Sequence, residues 1–68
     1  MKKYKVHLTN ARHALNAGNI EAYKRGISGL YRSSRSMKSR NYLIGELLID
    51  GFTINPLLPV TAETIRKI

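Results

Sequence analysis

Residues 31–40 read Y-R-S-S-R-S-M-K-S-R, a stretch that holds four cations, four serines and no acidic residue. It lies at the middle of the chain, between two segments whose apolar residues recur at helical spacing. We interpret it as a charged connection between two helices and call it the basic joint. Its composition favours contacts with phosphate groups, because Lys and Arg neutralise phosphates and form strong hydrogen bonds to them.

Positive charge is concentrated in the first forty residues. Twelve Lys and Arg against four Asp and Glu give the chain a net charge of +8. Residues 1–40 hold ten of the twelve cations and one acid, a balance of +9, whereas residues 41–68 have a balance of −1. This asymmetry indicates a polyanionic partner that is contacted mainly by the N-terminal half.

The length and composition limit the class of protein. Sixty-eight residues predict one domain, residues 1–68. A chain of this length buries only about 60% of its unfolded surface when it folds, so the core is small. Without cysteine, neither disulfides nor thiolate metal sites can form. No segment has the apolar length of a signal peptide or a membrane span, so we expect a cytoplasmic, intracellular protein that does not bind membranes.

Upstream of the basic joint, two helices are predicted, over residues 3–16 and 20–33. The first has an apolar stripe, with Arg12 on its opposite side, and the stripe consists of Tyr4, Leu8, Ala11 and Leu15. The apolar alternation from Tyr4 to Leu8 also suits a short strand, which leaves the first turn open. Between the helices, Gly18 suits a left-handed turn and Asn19 suits an N-cap.

The second helix is predicted to have three faces. Its core stripe consists of Ile20, Tyr23, Ile27, Leu30 and Tyr31. Another side carries only small residues, and this small-residue face consists of Ala22, Gly26, Gly29 and Ser33. Glycines inside a helix cost roughly 1 kcal/mol each relative to alanine, so we expect this face to let another backbone approach closely.

Downstream of the basic joint, a third helix is predicted that begins at a Ser36 or Ser39 cap and ends at Asp50, before Gly51. Leu43 and Leu47 lie on one side of it, and Tyr42 and Ile49 lie nearly opposite. A helix that is apolar on two sides is normally central, so we expect neighbours on both.

Two prolines within residues 52–59 predict an extended link that lies back across the core. A short last helix is then predicted over residues 62–68, capped by Thr61, with Val60, Ile65 and Ile68 facing the core. The predicted fold is therefore all-α: a small bundle of three main helices plus a short C-terminal helix, with a Pro-containing extended link before it.

Residues 60–68, V-T-A-E-T-I-R-K-I, also resemble the recognition helix of helix-turn-helix repressors. The resemblance covers nine residues and implies a helix that lies in the major groove of DNA. The preceding helix of such a motif would fall within residues 53–58, where Pro56 leaves little room. The alternative is a capped amphipathic helix that closes the core.

The predicted nucleic-acid contacts centre on the basic joint. If it is a short loop, six cations crowd at one end of the molecule, supported by the N-terminal lysines, and the serines and free N–H groups at the start of the third helix add neutral phosphate donors. Tyr42 is the tyrosine placed to stack on a base. The predicted binding residues are Lys24, Arg25, Arg32, Arg35, Lys38, Arg40 and Tyr42. A solvated charge run, or a kinase site at R-S-S-R-S, are the alternatives.

No residue pattern indicates catalysis, a metal or a cofactor. His7 and His13 lie on different faces of the first helix and no cysteine can complete a metal site. Glu46 and Asp50 are four residues apart but have no nucleophile or histidine beside them, so we expect a polar edge or salt bridges to the basic joint. The sequence thus predicts a protein that is not an enzyme.

Two functions remain open from the sequence. The first is a small basic protein that binds DNA or RNA mainly through phosphates, with low sequence specificity. The second is a protein-binding modulator, an inhibitor or adaptor of phage or plasmid type, that docks on an acidic surface of a larger protein through the small-residue face or residues 52–58. The oligomeric state is also open, since the small-residue face could pair two copies.

Overall fold

The computed structural model describes residues 2–68, and of Lys2 only the backbone. It contains three helices: α1 (Lys2–Asn16), α2 (Ile20–Ser33) and α3 (Met37–Ile49). Two short strands, β1 (Phe52–Thr53) and β2 (Arg66–Lys67), follow them, with a 3₁₀ turn at Ala62–Thr64 between the strands. None of the described helices combines the length and apolar character needed to cross a membrane.

The helices α1 and α2 form a hairpin whose turn was predicted from the sequence. Gly18 has a φ of +83°, and the Asn19 side chain accepts a hydrogen bond from the Ala22 N–H at 3.2 Å. A Cβ placed on Gly26 would lie 3.3 Å from the Ala11 Cβ, so α1 occupies the small-residue face at this point, as expected. The first turn of α1 is helical, which makes the short-strand alternative wrong.

The helix α3 runs in the same direction as α1. The rings of Tyr4 and Tyr42 lie 6.1 Å apart, and eight residues further along both segments Arg12 contacts Asp50. The helix begins as predicted, because the Ser36 side chain accepts a hydrogen bond from the Ser39 N–H. It ends at Ile49, one residue before the predicted Asp50, and Gly51 follows with a φ of +89°, as predicted.

The core is closed on one side of α3 and open on the other. It consists of Leu8, Ala11, Tyr23, Ile27, Leu30, Leu43, Leu47, Phe52, Ile54, Val60 and Ile65. On the outer side of α3, Tyr42 is 54% exposed and Ile49 76% exposed, so the prediction of neighbours on both sides is wrong, and Leu48 is also 51% exposed. The reason is size, because the chain after α3 is short and its residues 62–64 pack against α2 rather than over α3.

The link after α3 is only partly packed on the core. Phe52 and Ile54 are buried, as predicted, whereas Leu57 and Leu58 are exposed. Burial therefore withdraws Phe52 and Ile54 from any contact of residues 52–58 with a protein partner and leaves Leu57 and Leu58 exposed.

The C-terminal segment differs most from the prediction. In place of a helix over 62–68, the 3₁₀ turn leads into β2, which pairs antiparallel with β1 in the register Phe52↔Lys67. The Ile68 N–H extends the pairing by donating to the Gly51 carbonyl at 2.9 Å. A helix of seven residues is marginal in water, and strand pairing satisfies the same backbone groups. The helix prediction and the helix-turn-helix resemblance are therefore both wrong.

Two of the three apolar side chains in this segment still face the core. Val60 and Ile65 are buried, as predicted, and Ile68 is 75% exposed. Thr61 and Thr64 hold the turn between them, since the Thr61 N–H donates to the Thr64 hydroxyl oxygen at 2.8 Å and the Thr64 N–H donates to the Thr61 carbonyl at 3.1 Å.

Candidate nucleic-acid interface

The basic joint contains a three-residue connection, because α2 ends at Ser33 and α3 begins at Met37. The hydroxyls of Ser33 and Ser34 both donate to the Leu30 carbonyl, at 3.0 and 2.8 Å. These two serines therefore stabilise the end of α2, and their hydroxyl protons are not directed at solvent as the phosphate donors expected from the sequence.

Arg40 also stabilises the basic joint. Its Nε donates to the Ser34 carbonyl at 2.9 Å, and its guanidinium carbon lies 4.8 Å from the centre of the Tyr31 ring. A cation over an aromatic face is attracted by the ring's quadrupole. Arg40 is half-buried in this position, so it connects α3 to the end of α2 and offers less of its charge to a ligand than an exposed arginine does.

The N-terminus of α1 lies beside the basic joint. Between them is a cleft of about 380 Å³, here called the joint cleft, whose lining includes Lys3 and His7 from α1 and Arg35 from the joint. It continues into a groove of about 410 Å³ between α1 and α2, the helix groove, whose lining includes His7 and Arg25. The two share His7, Leu30 and Ser33 and so adjoin one another.

A third cleft, the tyrosine cleft, lies on the α3 side of the joint cleft. Its volume is about 430 Å³, and it is lined by Tyr4, Lys5, Lys38, Ser39 and Tyr42. It shares Tyr4 and Ser39 with the joint cleft, so the three clefts form one continuous indented surface. We call this the basic surface.

Five exposed cations line the basic surface, namely Lys3, Lys5, Arg25, Arg35 and Lys38. They come from all three helices and the loop between α2 and α3. The residues that line the three clefts include no Asp or Glu. Unopposed like charges that line a concave surface create a positive potential there, which attracts anions.

Two of the four acidic residues, Glu46 and Asp50, form salt bridges with Arg12 of α1. Arg12 donates to both carboxylate oxygens of Asp50, at 3.0 and 3.2 Å, and lies 3.6 Å from the Glu46 carboxylate. Burial opposes the positive charge of Arg12, but the hydrogen bond to Asp50 and the two nearby carboxylates outweigh it and raise the pKa of Arg12. The expected salt bridges to the basic joint are absent among the described side chains.

Tyr23 completes this cluster from the core side. Its hydroxyl donates to the second oxygen of Asp50 at 2.8 Å. Burial of the ring, followed by the hydrogen bond and the charge of Asp50, raises the pKa of the Tyr23 phenol. Arg12 is the only cation in salt bridges among the described side chains, so no described carboxylate pairs with the cations of the basic surface.

The structure distributes the six predicted cations unequally. Arg35 and Lys38 lie together at the joint end, but Arg25 is eight residues before Ser33 and thus about 12 Å along the helix from it. Arg32 is exposed and follows Arg25 by seven residues, about two helical turns, so the two arginines lie on the same side of α2. Lys24 is half-buried and points about 100° around the helix axis from Arg25. The six therefore do not crowd at one end, and Lys3 and Lys5 take positions there instead.

Tyr42 is exposed at the edge of the basic surface. Its side chain is 54% exposed, and its ring is inclined at 53° to that of Tyr4. The Tyr42 hydroxyl donates to a Glu46 carboxylate oxygen at 2.9 Å, which raises the pKa of the phenol and holds the ring in place. Tyr4 and His7 also line the basic surface, which the sequence did not predict. Their position depends on how α1 packs against the other two helices.

Comparison of the chain with known protein families, with curated proteins and with solved structures found no match to any of them. The charge, shape and side chains of the basic surface are therefore the basis for proposing a function.

Proposed function

We propose that this protein binds nucleic acid, DNA or RNA, mainly through the phosphate backbone and with low sequence specificity, and that it catalyses no reaction. One observation carries the proposal: five exposed cations line three adjoining clefts whose linings contain no acid. Nucleic acid is the abundant polyanion whose charges repeat at short intervals, and a line of cations matches it by releasing condensed counterions.

Low specificity follows from the kind of side chain on the basic surface. Lysines contact phosphates as point charges, and contacts to phosphate oxygens fix position without reading sequence. Arg35 lines the joint cleft and Lys38 lines the tyrosine cleft, and these two clefts share Ser39. We expect Arg35 and Lys38 to contribute most to binding, with Lys3, Lys5 and Arg25 extending the contact on either side.

Charge reversal tests the proposal with a matched control. The double variant Arg35→Glu/Lys38→Glu should bind a labelled oligonucleotide at least roughly tenfold more weakly than the unmodified protein, measured by fluorescence anisotropy at low salt. The control is Arg66→Glu/Lys67→Glu, which makes the same change in net charge on two exposed residues of β2. That strand adjoins Gly51 at the far end of α3, about 18 Å from Met37 along the helix.

The control should retain most of the binding, within about threefold of the unmodified protein. Equal losses in the two variants would show that only net charge matters and would contradict a site at the basic joint. Failure of the unmodified protein to bind any oligonucleotide at low salt would contradict the proposal as a whole.

A protein-binding modulator is the second candidate, and the outer side of α3 favours it. Leu48 and Ile49 are both more than half exposed at the end of this helix, and adjoining exposed apolar side chains are typical of protein contacts. The modulator would dock on an acidic surface, so its partner would also contact the cations of the basic surface. In this case Arg35→Glu/Lys38→Glu abolishes capture of a protein partner from nuclease-treated lysate, while the unmodified protein never retains nucleic acid.

A further inference from the structure

We infer that the tyrosine cleft is a subsite for an unpaired nucleobase, so that the preferred ligand is a single strand rather than a duplex. The inference rests on the proposed function, because it names the form of nucleic acid that the basic surface binds. It adds a base contact to a surface otherwise made for phosphates.

The Tyr42 ring is both exposed and held in position. It is 54% exposed, so one part of the ring is open to a ligand. Its hydroxyl is bonded to Glu46 at 2.9 Å and its ring leans on that of Tyr4 at 6.1 Å, so it is held in place before a ligand arrives. A ring that is already fixed loses little conformational freedom when a base stacks on it.

Cations line the clefts around the Tyr42 ring. Lys5 and Lys38 line the same cleft, and Lys3 and Arg35 line the next one. A nucleotide strand carries a phosphate on each side of every base, and here four cations line the cleft of an open aromatic ring and the cleft beside it. Aromatic rings within a positively charged groove are typical of single-strand binding proteins.

The nearest carboxylate offsets the positive charge of the cleft only in part. Glu46 accepts a hydrogen bond from the Tyr42 hydroxyl and shares Arg12 with Asp50, whereas Lys5 and Lys38 both line the cleft. The cleft volume of about 430 Å³ falls within the usual range for small-ligand sites, roughly 300–1,000 Å³. In a duplex the neighbouring bases cover both faces of each base, so this ring can stack only on a base outside a double helix.

The test compares four labelled ligands of equal length by fluorescence anisotropy: oligo(dT), oligo(rU), an abasic DNA strand and a blunt DNA duplex. The abasic strand keeps every phosphate and lacks the bases. We expect oligo(dT) or oligo(rU) to bind roughly 5- to 100-fold more tightly than the abasic strand. A preference for either oligo(dT) or oligo(rU) supports the inference and identifies the sugar that is favoured.

Three variants assign the difference to the ring. Tyr42→Ala should remove the advantage of oligo(dT) over the abasic strand, and Tyr42→Phe, which keeps the ring, should retain most of it. The control Ile49→Ala removes a more exposed apolar side chain from the same helix and should leave the advantage unchanged.

The possible failures are distinguishable. Equal binding of oligo(dT) and the abasic strand, or tighter binding of the duplex, overturns the base subsite and leaves the proposed function standing. Binding of none of the four ligands overturns the proposed function itself. The comparison of ligands uses the unmodified protein, so it decides the question even if a Tyr42 variant does not fold.

Discussion

At the scale of single residues, the structure is organised by Asp50. Its carboxylate receives Arg12 from α1 and the Tyr23 hydroxyl from α2, so it joins all three helices at one point. The sequence placed Arg12 on the solvent side of α1 and Asp50 at a polar edge. In a chain with a net charge of +8, the sequence predicts that an acidic residue forms a salt bridge with some cation. That the cation is Arg12 depends on how α1 lies against α3.

This cluster predicts a loss of stability at alkaline pH. Because the pKa of Tyr23 is raised by its burial and its contact with Asp50, the folded protein keeps the phenol proton at pH values where the unfolded chain releases it. The stabilising contribution is complete below about pH 10, the ordinary tyrosine pKa, and is lost as pH rises from there towards the folded-state pKa. The free energy of unfolding should fall over this range by up to about 1.4 kcal/mol per pH unit for this one proton.

Urea denaturation between pH 9 and 11 measures this dependence. Tyr23→Phe should give a flatter profile than the unmodified protein, with a residual slope from Tyr4 and Tyr42, whose pKa values are also raised. Tyr31→Phe is the control, since Tyr31 is half-buried and lies outside the Asp50 cluster. Identical slopes for Tyr23→Phe and the unmodified protein would exclude a titrating role for Tyr23.

At the scale of elements, the helices were predictable and the C-terminal segment was not. Four helix boundaries rest on a local signal, namely the Asn19 and Ser36 caps and the left-handed Gly18 and Gly51. The strand β2 has no such signal, because its stability comes from pairing with β1, which lies about fifteen residues earlier in the chain. A capping pattern at Thr61 followed by apolar residues fits a helix or a turn equally well.

The glycines of α2 provide a test of how α1 packs. Gly29 has open space where a Cβ would lie, so Gly29→Ala should raise the free energy of unfolding by about 0.5–1 kcal/mol through helix propensity alone. At Gly26 the added Cβ would lie 3.3 Å from the Ala11 Cβ, so α1 must shift and the gain should be smaller or reversed. Thermal or urea denaturation of both variants measures the difference, and equal gains would contradict the close approach of α1 at Ala11.

At the scale of the whole molecule, the basic surface results from topology. The charge run of residues 31–40 was enough to identify Arg35 and Lys38 as candidates. The meeting of Lys3 and Lys5 with them requires α1 and α3 to run in the same direction, which the residue pattern alone does not specify. Arg40 and the joint serines looked equally available in the sequence, but local hydrogen bonds direct them to the backbone.

The salt dependence of binding tests the central claim, that the cations of the basic surface are neutralised by phosphates, most directly. If its five cations each displace one counterion, log K plotted against log salt concentration should be linear, with a slope of about −3.5 on a single strand and about −4.5 on a duplex. Arg35→Glu/Lys38→Glu should make the slope distinctly shallower. A flat response from the unmodified protein would contradict the account.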